Sequence, residues 1–292
     1  MVGGTDLFRY LLTRVILFWL RLKAVCDRSF SGRYGRFNSA GTWLTYTDDG
    51  AGQAIILVHG IIGDASSWNA TVKRLKARFR SVAIDYRGQG GSAIPDNPAD
   101  YGVQMVDDIA ALQRHLGIQR ACIIGASAGA EMALRLAVSN PDNVKALILL
   151  GSGWSGEKEA ENYRAAARAL NKHGSLRPWI KETGGEGYFQ TDPYSLAIAD
   201  LLLKGKNLKA LVATFQGMPN IINLSEEEIR SIKVPILGIC GEHDVERPCL
   251  EKMINVAQDF SYKMLNNRGH MDTDDDPEQT EVINEFLRNH LG

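Results

Sequence analysis

An α/β fold, a doubly wound and mostly parallel sheet with an inserted helical cap, is what this sequence predicts, and three observations carry the prediction. Short runs that are apolar at nearly every position, such as Ile55-Ile56-Leu57-Val58 and Val144 to Leu150, alternate with stretches of helical periodicity. Strands apolar throughout are buried on both faces, as in a parallel sheet covered by helices, and their alternation with helices winds the sheet through right-handed crossovers. One run, Ala121 to Ile124, meets Gly125-Ala126-Ser127-Ala128-Gly129 and passes at once into a helical pattern. The alternation then stops at Gly151 and resumes at Val234.

The first forty residues stand apart. They carry Arg9, Arg14, Arg21, Lys23, Arg28, Arg33 and Arg36 against Asp6 and Asp27, with Leu7, Phe8, Leu11, Leu12, Val15, Phe18, Trp19 and Leu22 at helical spacing. The apolar run Val15 to Leu20 is too short to span a bilayer. A basic helix over residues 7–23 with interleaved aromatics fits attachment to a membrane surface; packing on its own domain or on a partner is the alternative. The expected location is cytoplasmic or peripheral to a membrane. Residues 1–36 are therefore assigned to a basic arm, 37–153 and 232–292 to the core, and 154–231 to the cap.

In the core, Thr42 to Tyr46 reads as a strand, followed by the turn-rich Asp48 to Gly52 and the run Ala54 to Val58, which ends in His59-Gly60. A helix is expected over Ser66 to Phe79, a strand over Val82 to Ile84, and a helix over Val103 to Leu116. The serine-bearing strand and its helix follow, then the strand Val144 to Leu150. Between Gly151 and Val234 the helical patterns are Glu157–Leu170, Leu196–Leu203 and Leu208–Phe215. An insertion here lies over the carboxyl edge of the sheet, where open α/β sheets bind ligands. Strands over Val234–Cys240 and Tyr262–Leu265 and a helix over Thr280–Leu291 complete the chain.

Composition excludes several functions. A net charge of −1 argues against nucleic acid, which needs a concentrated basic face. The 4 cysteines form no metal or redox motif; Cys122 and Cys240 fall in apolar runs and read as buried thiols. No metal or cofactor is expected.

The chemistry centres on Ser127. A turn this tight crowds the positions two before and two after the serine, so both are glycine, and the hydroxyl is presented at a strand end and a helix N-terminus. A serine needs a base, and the base needs a carboxylate to hold its tautomer. Among 6 histidines, His270 follows the last strand in Arg268-Gly269-His270 and is the expected base. His115, His173 and His290 read as surface residues, and His59 as a residue that shapes its loop. The carboxylate is expected from a strand end between serine and base: Asp244, with Glu242 and Glu246 as rivals. Asp272, Asp274, Asp275 and Asp276 read as a solvated acidic loop. The oxyanion donors are assigned to the N–H groups of Ala128 and Ile61. Glu131 is either a helix-dipole partner or a pocket carboxylate. Trp154, Trp179, Tyr188, Phe189, Phe215 and Met218 are candidate pocket walls, with His59 beside them at the end of its strand.

These marks in order — His59-Gly60 with Trp68, Asp85-Tyr86-Arg87-Gly88-Gln89-Gly90-Gly91-Ser92, Gly125 to Gly129, Gly241-Glu242-His243-Asp244 and Gly269-His270 — resemble the α/β-hydrolase fold superfamily over residues 40–292. The resemblance implies a serine hydrolase that cleaves carboxylic esters through an acyl-enzyme. Within the superfamily the chain is similar to serine esterases and membrane-associated monoacylglycerol lipases. Lactonase or carbon–carbon bond hydrolase chemistry on the same triad, or slow ligand sensing, are the alternatives. Ala128 and Ala130 depart from the family pattern, where a larger residue and a second glycine are frequent.

Overall fold

Eight strands form one sheet in this computed structural model, which describes residues 32–182, 193–270 and 276–292. The strands are β1 (Arg33–Ser39), β2 (Thr42–Asp49), β3 (Gln53–Val58), β4 (Phe79–Asp85), β5 (Ala121–Ala126), β6 (Val144–Leu150), β7 (Ile236–Gly241) and β8 (Phe260–Leu265). Their order is β1-β2-β4-β3-β5-β6-β7-β8, antiparallel at β1, β2 and β4 and parallel from β4 onward. Alternate residues of each inner strand face opposite sides. Ile56, Val58, Ile123, Leu147 and Leu149 enter one apolar cluster, and Ile55, Leu57, Cys122, Ile124 and Ile148 the other. All are fully buried, which is why these strands read as apolar at every position.

Helices cover both faces: α1 (Asn69–Leu75), α2 (Val103–His115), α3 (Ala128–Ser139) and α10 (Pro277–Leu291). Between β6 and β7 run α4 (Glu157–His173), α5 (Arg177–Glu182), α6 (Pro193–Leu203), α7 (Leu208–Ile222) and α8 (Glu226–Ser231), and α9 (Arg247–Glu251) follows β7. The chain passes from β3 to β4 on one side and then returns to β5 on the other. That reversal opens a crevice at the carboxyl ends of β3 and β5, where ligands bind in open α/β sheets.

The structure corrects several boundaries. Residues 33–36 belong to β1, not to a basic arm: Arg33 pairs with Asp48 and Phe37 is 1% exposed. The helix expected over Ser66–Phe79 is a short 3₁₀ turn (Ala65–Trp68) followed by α1, and Phe79 opens β4. His115 is exposed, as expected of a surface residue, with its ring 5.7 Å from Phe37 and 5.9 Å from Tyr46. Asp276 is buried; it caps α10 and pairs with Arg268 at 2.9 Å. Residues 7–23, Tyr188, Phe189, Asp272, Asp274 and Asp275 lie outside the described residues. Among the described residues no helix is long and apolar enough to cross a membrane.

Candidate active site

Ser127 stands between β5 and α3 with φ 52° and ψ −122°. For a residue with a Cβ this conformation costs about 1–3 kcal/mol and persists only where the surroundings enforce it. Two close approaches do so. A Cβ on Gly125 would stand 2.2 Å from Gly129 O, and one on Gly129 would stand 2.1 Å from Val58 O. The Ser127 N–H donates to Leu150 O at 2.8 Å, tying the turn to the end of β6. The side chain makes no cap bond to its own helix, so the hydroxyl is left for other chemistry.

His270 Nε2 lies 3.1 Å from Ser127 Oγ, and Nδ1 lies 2.9 Å from Asp244 Oδ1. The His270 and Asp244 side chains are 7% and 0% exposed. A carboxylate only accepts, so Nδ1 is the protonated nitrogen and Nε2 is the acceptor turned to the serine hydroxyl. Asp244 Oδ1 also accepts the Glu246 N–H at 2.9 Å, which fixes the carboxylate in its loop. Of the two rivals, Glu242 accepts the Asn267 N–H at 2.9 Å, and Glu246 is buried behind Asp244. Three side chains from the ends of β5, β7 and β8 thus converge across the sheet.

The loop after β3 is held from beneath. The Gly60 carbonyl accepts three bonds: from His59 Nδ1 at 2.8 Å, from Tyr86 Oη at 3.0 Å and from the Gly63 N–H at 2.9 Å. The His59 and Tyr86 rings stack at 4.1 Å, and both are fully buried. Burial is the main cause that pushes the His59 pKa down, so its ring is neutral, and it pushes the Tyr86 pKa up. The Gly60 carbonyl and the Ile61 N–H share one planar trans peptide and point opposite ways. Fixing the oxygen therefore fixes the direction of the N–H, and three donors on the oxygen polarise it. The loop touches the serine turn: a Cβ on Gly60 would stand 3.6 Å from Ser127 Cβ. From the insertion, Lys206 Nζ reaches Gly63 O at 3.2 Å and Asp64 Oδ2 at 3.1 Å.

The candidate wall residues fall in different places. Trp154 is half-buried; its Nε1 donates to Leu224 O at 2.8 Å, and Lys252 Nζ sits 4.3 Å over its ring. Phe215 is buried with its ring 6.0 Å from Tyr163, and Met218 and Trp179 are buried in the same apolar cluster. Glu131 is neither solvated nor idle: it is 1% exposed and accepts from Tyr163 Oη at 2.6 Å.

This architecture has relatives. The chain is 37% identical over 228 residues to RutD of Caulobacter sp. (strain K31), a protein to which carbamate hydrolysis is ascribed; the match covers 72% of this chain and 82% of that one. Residues 53–172 match the family described as the alpha/beta hydrolase fold. The chain belongs to the α/β-hydrolase fold family. Carboxylesterase YbfK of Bacillus subtilis (strain 168) is 22% identical over 246 residues, covering 82% of this α/β-hydrolase and 80% of the relative. A thermophilic esterase from Thermogutta terrifontis, solved with malate bound, superposes with a TM-score of 0.73 at 25% identity, covering 89% of this chain and 100% of that one.

The sequence marks Tyr86 only as part of a motif and Gly151 only as a strand end, and neither role at the site is read from it. Tyr86 is an aromatic directly after a strand, inside a glycine-rich loop where most residues are small, and that contrast is a readable signal. Gly151 closes β6 at φ 70°, against the His270 ring; nothing local in the sequence points to that contact.

Proposed function

We propose that this α/β-hydrolase cleaves carboxylic esters through an acyl-enzyme on Ser127. His270 takes the hydroxyl proton as Oγ attacks the ester carbonyl, and Asp244 holds the imidazole and balances the imidazolium that forms. The tetrahedral oxyanion rests on the N–H groups of Ile61 and Ala128, the second at the N-terminus of α3. His270 gives its proton to the departing alcohol, then takes one from water as the acyl group is hydrolysed. The insertion serves as a cap, with the half-buried Trp154 as its wall residue, while Trp179, Phe215 and Met218 pack the cap's own apolar core. The observation that carries the reading is the unbroken path Ser127 Oγ, His270 Nε2, His270 Nδ1, Asp244 Oδ1, with steps of 3.1 and 2.9 Å.

Ser127→Ala is expected to abolish turnover of p-nitrophenyl esters while leaving the melting temperature in place, and a fluorophosphonate is expected to label Ser127. Labelling at another residue, or turnover by the variant, overturns the assignment. The likeness to RutD favours a second reading in which the ester is a carbamate, attacked by the same serine. A panel of p-nitrophenyl acetate, butyrate, octanoate and N-methylcarbamate separates the two by their kcat/KM values.

A further inference from the structure

Glu131 lies one turn into α3, four residues past Ser127, in a place where the triad asks for no carboxyl. Oε2 accepts from Tyr163 Oη at 2.6 Å; Oε1 accepts from Ser152 Oγ at 3.3 Å and from Ser155 Oγ. The two serines belong to the strap 151–155 that leads out of β6, and Tyr163 belongs to α4, the first helix of the insertion. One buried side chain therefore joins the nucleophile helix to both segments.

The strap is also a wall of the triad. A Cβ on Gly151 would stand 3.3 Å from His270 Cε1 and 3.4 Å from Asp244 Oδ2, so the backbone itself packs against that pair. Farther along, the Trp154 N–H donates to Cys249 O at 3.0 Å and Lys252 Nζ to Ser155 O at 3.2 Å. The strap is thus gripped by Glu131 on one side and by the segment after Asp244 on the other. We propose that Glu131 is a positioning residue: its carboxyl clamps the strap 151–155 against the His270–Asp244 pair and sets the first helix of the insertion on the nucleophile helix.

The surroundings favour the uncharged carboxyl, with its proton lying between Oε2 and the Tyr163 oxygen. Burial, and after it the charges of Glu246 and Glu159, push the Glu131 pKa well up, against the opposing pull of the Ser155 and Tyr163 hydroxyls. The other groups facing it leave it so. Burial pushes the Cys249 thiol up and keeps it neutral, and Lys252, whose ammonium burial pulls down, spends a proton on Ser155 O. Ionisation of Glu131 places a second negative charge beside Glu246 in a dry site, and the strap loosens. Because the folded state holds this proton after the unfolded chain has released it, stability declines as pH rises from the ordinary carboxyl range through the folded pKa.

Glu131→Gln tests this. Its amide oxygen accepts from both serines and its NH₂ donates to the Tyr163 oxygen, with no proton to lose. The kinetic arm rests on the ester reading: with p-nitrophenyl acetate the Gln variant is expected within about threefold of wild-type kcat at neutral pH, while Glu131→Ala loses about a hundredfold, the order of a 1 Å misplacement. The Gln variant is also expected to lose the fall of kcat that ionisation of Glu131 brings, and to gain melting temperature over wild type as pH rises above the ordinary carboxyl range. A pH dependence of kcat and melting temperature that is the same in the Gln variant as in wild type overturns the proposal, as does wild-type kcat in a folded Ala variant. If wild type turns over no ester and Ser127 takes no fluorophosphonate, the ester reading fails, and the pH dependence of melting temperature, wild type against Gln, still decides the clamp.

Discussion

The carboxyl edge of the sheet and the helical insertion share one apolar cluster but differ in what fixes their position. At the edge, Ser127, Asp244 and His270 leave the ends of strands whose inner residues are fully buried and whose register is fixed by parallel pairing. In the insertion, α4 packs on α7, with the Tyr163 and Phe215 rings 6.0 Å apart, and a few polar ties join it to the core. Arg135 of α3 donates to Ile221 O at 2.8 Å and to Asn223 O at 2.5 Å, at the C-terminus of α7, where a cation suits the helix dipole. Lys206 meets Asp64. Both regions share apolar packing, since Leu211, Met218 and Ile221 of the insertion are buried in the same cluster as Ile56 and Val58, but the ties above are single polar bonds that are lost one at a time. Substitutions at the edge should therefore cost orders of magnitude, and substitutions at the ties small factors.

The sharpest break of the edge is Asp244→Asn. The amide keeps the shape but removes the negative charge that balances the imidazolium, and an NH₂ turned to Nδ1 favours the wrong tautomer, so kcat for a p-nitrophenyl ester is expected to fall by about 10⁴. A variant that retains a tenth of wild-type kcat would mean that another group orients His270. Volume is the second way to break it. In Gly129→Ala the new methyl meets the Val58 carbonyl oxygen at 2.1 Å and the His59 oxygen at 2.8 Å, both backbone atoms that cannot swing aside. Urea unfolding is expected to register a loss of about 1–3 kcal/mol or more, with activity falling as the turn shifts. Wild-type stability there would mean that α3 can slide on the sheet, and the comparison between edge and insertion would lose its basis.

That contrast also governs what could be read in advance. The strands were legible because two-sided burial leaves no polar residue in them, and the serine turn because steric crowding demands its glycines. Asp244 and His270 were legible from their places after strand ends, since the sheet brings strand ends together whatever lies between. β1 was not legible: as an edge strand its exposed face carries Tyr34, Arg36 and Asn38, and its arginines continued the basic run before it. The carboxyl clamp was not legible either. Glu131 in the first turn of a helix looks like any dipole partner, and the hydroxyls it meets lie 21, 24 and 32 residues away, brought in by packing of the insertion. Sequence period reports which face is buried, not which polar groups meet there.

The smallest expected effect is at the tie between Lys206 and the loop after β3, and its smallness is informative. Asp64 already accepts from the Ser66 N–H at 3.1 Å and from the Ser66 hydroxyl, so it keeps partners when the ammonium leaves. The pair is partly open to solvent, with side-chain exposures of 20% for Lys206 and 32% for Asp64, so screening discounts its Coulomb energy. The Gly60 carbonyl, which sets the Ile61 N–H, is held by His59, Tyr86 and Gly63 and makes no bond to Lys206. Lys206→Met is therefore expected to change stability by less than about 1 kcal/mol and kcat by no more than about threefold. Raising the salt concentration on wild type should reproduce most of that change, because the tie is electrostatic and accessible. A much larger loss of kcat, insensitive to salt, would mean that the insertion sets the oxyanion loop directly and that the two regions work as one.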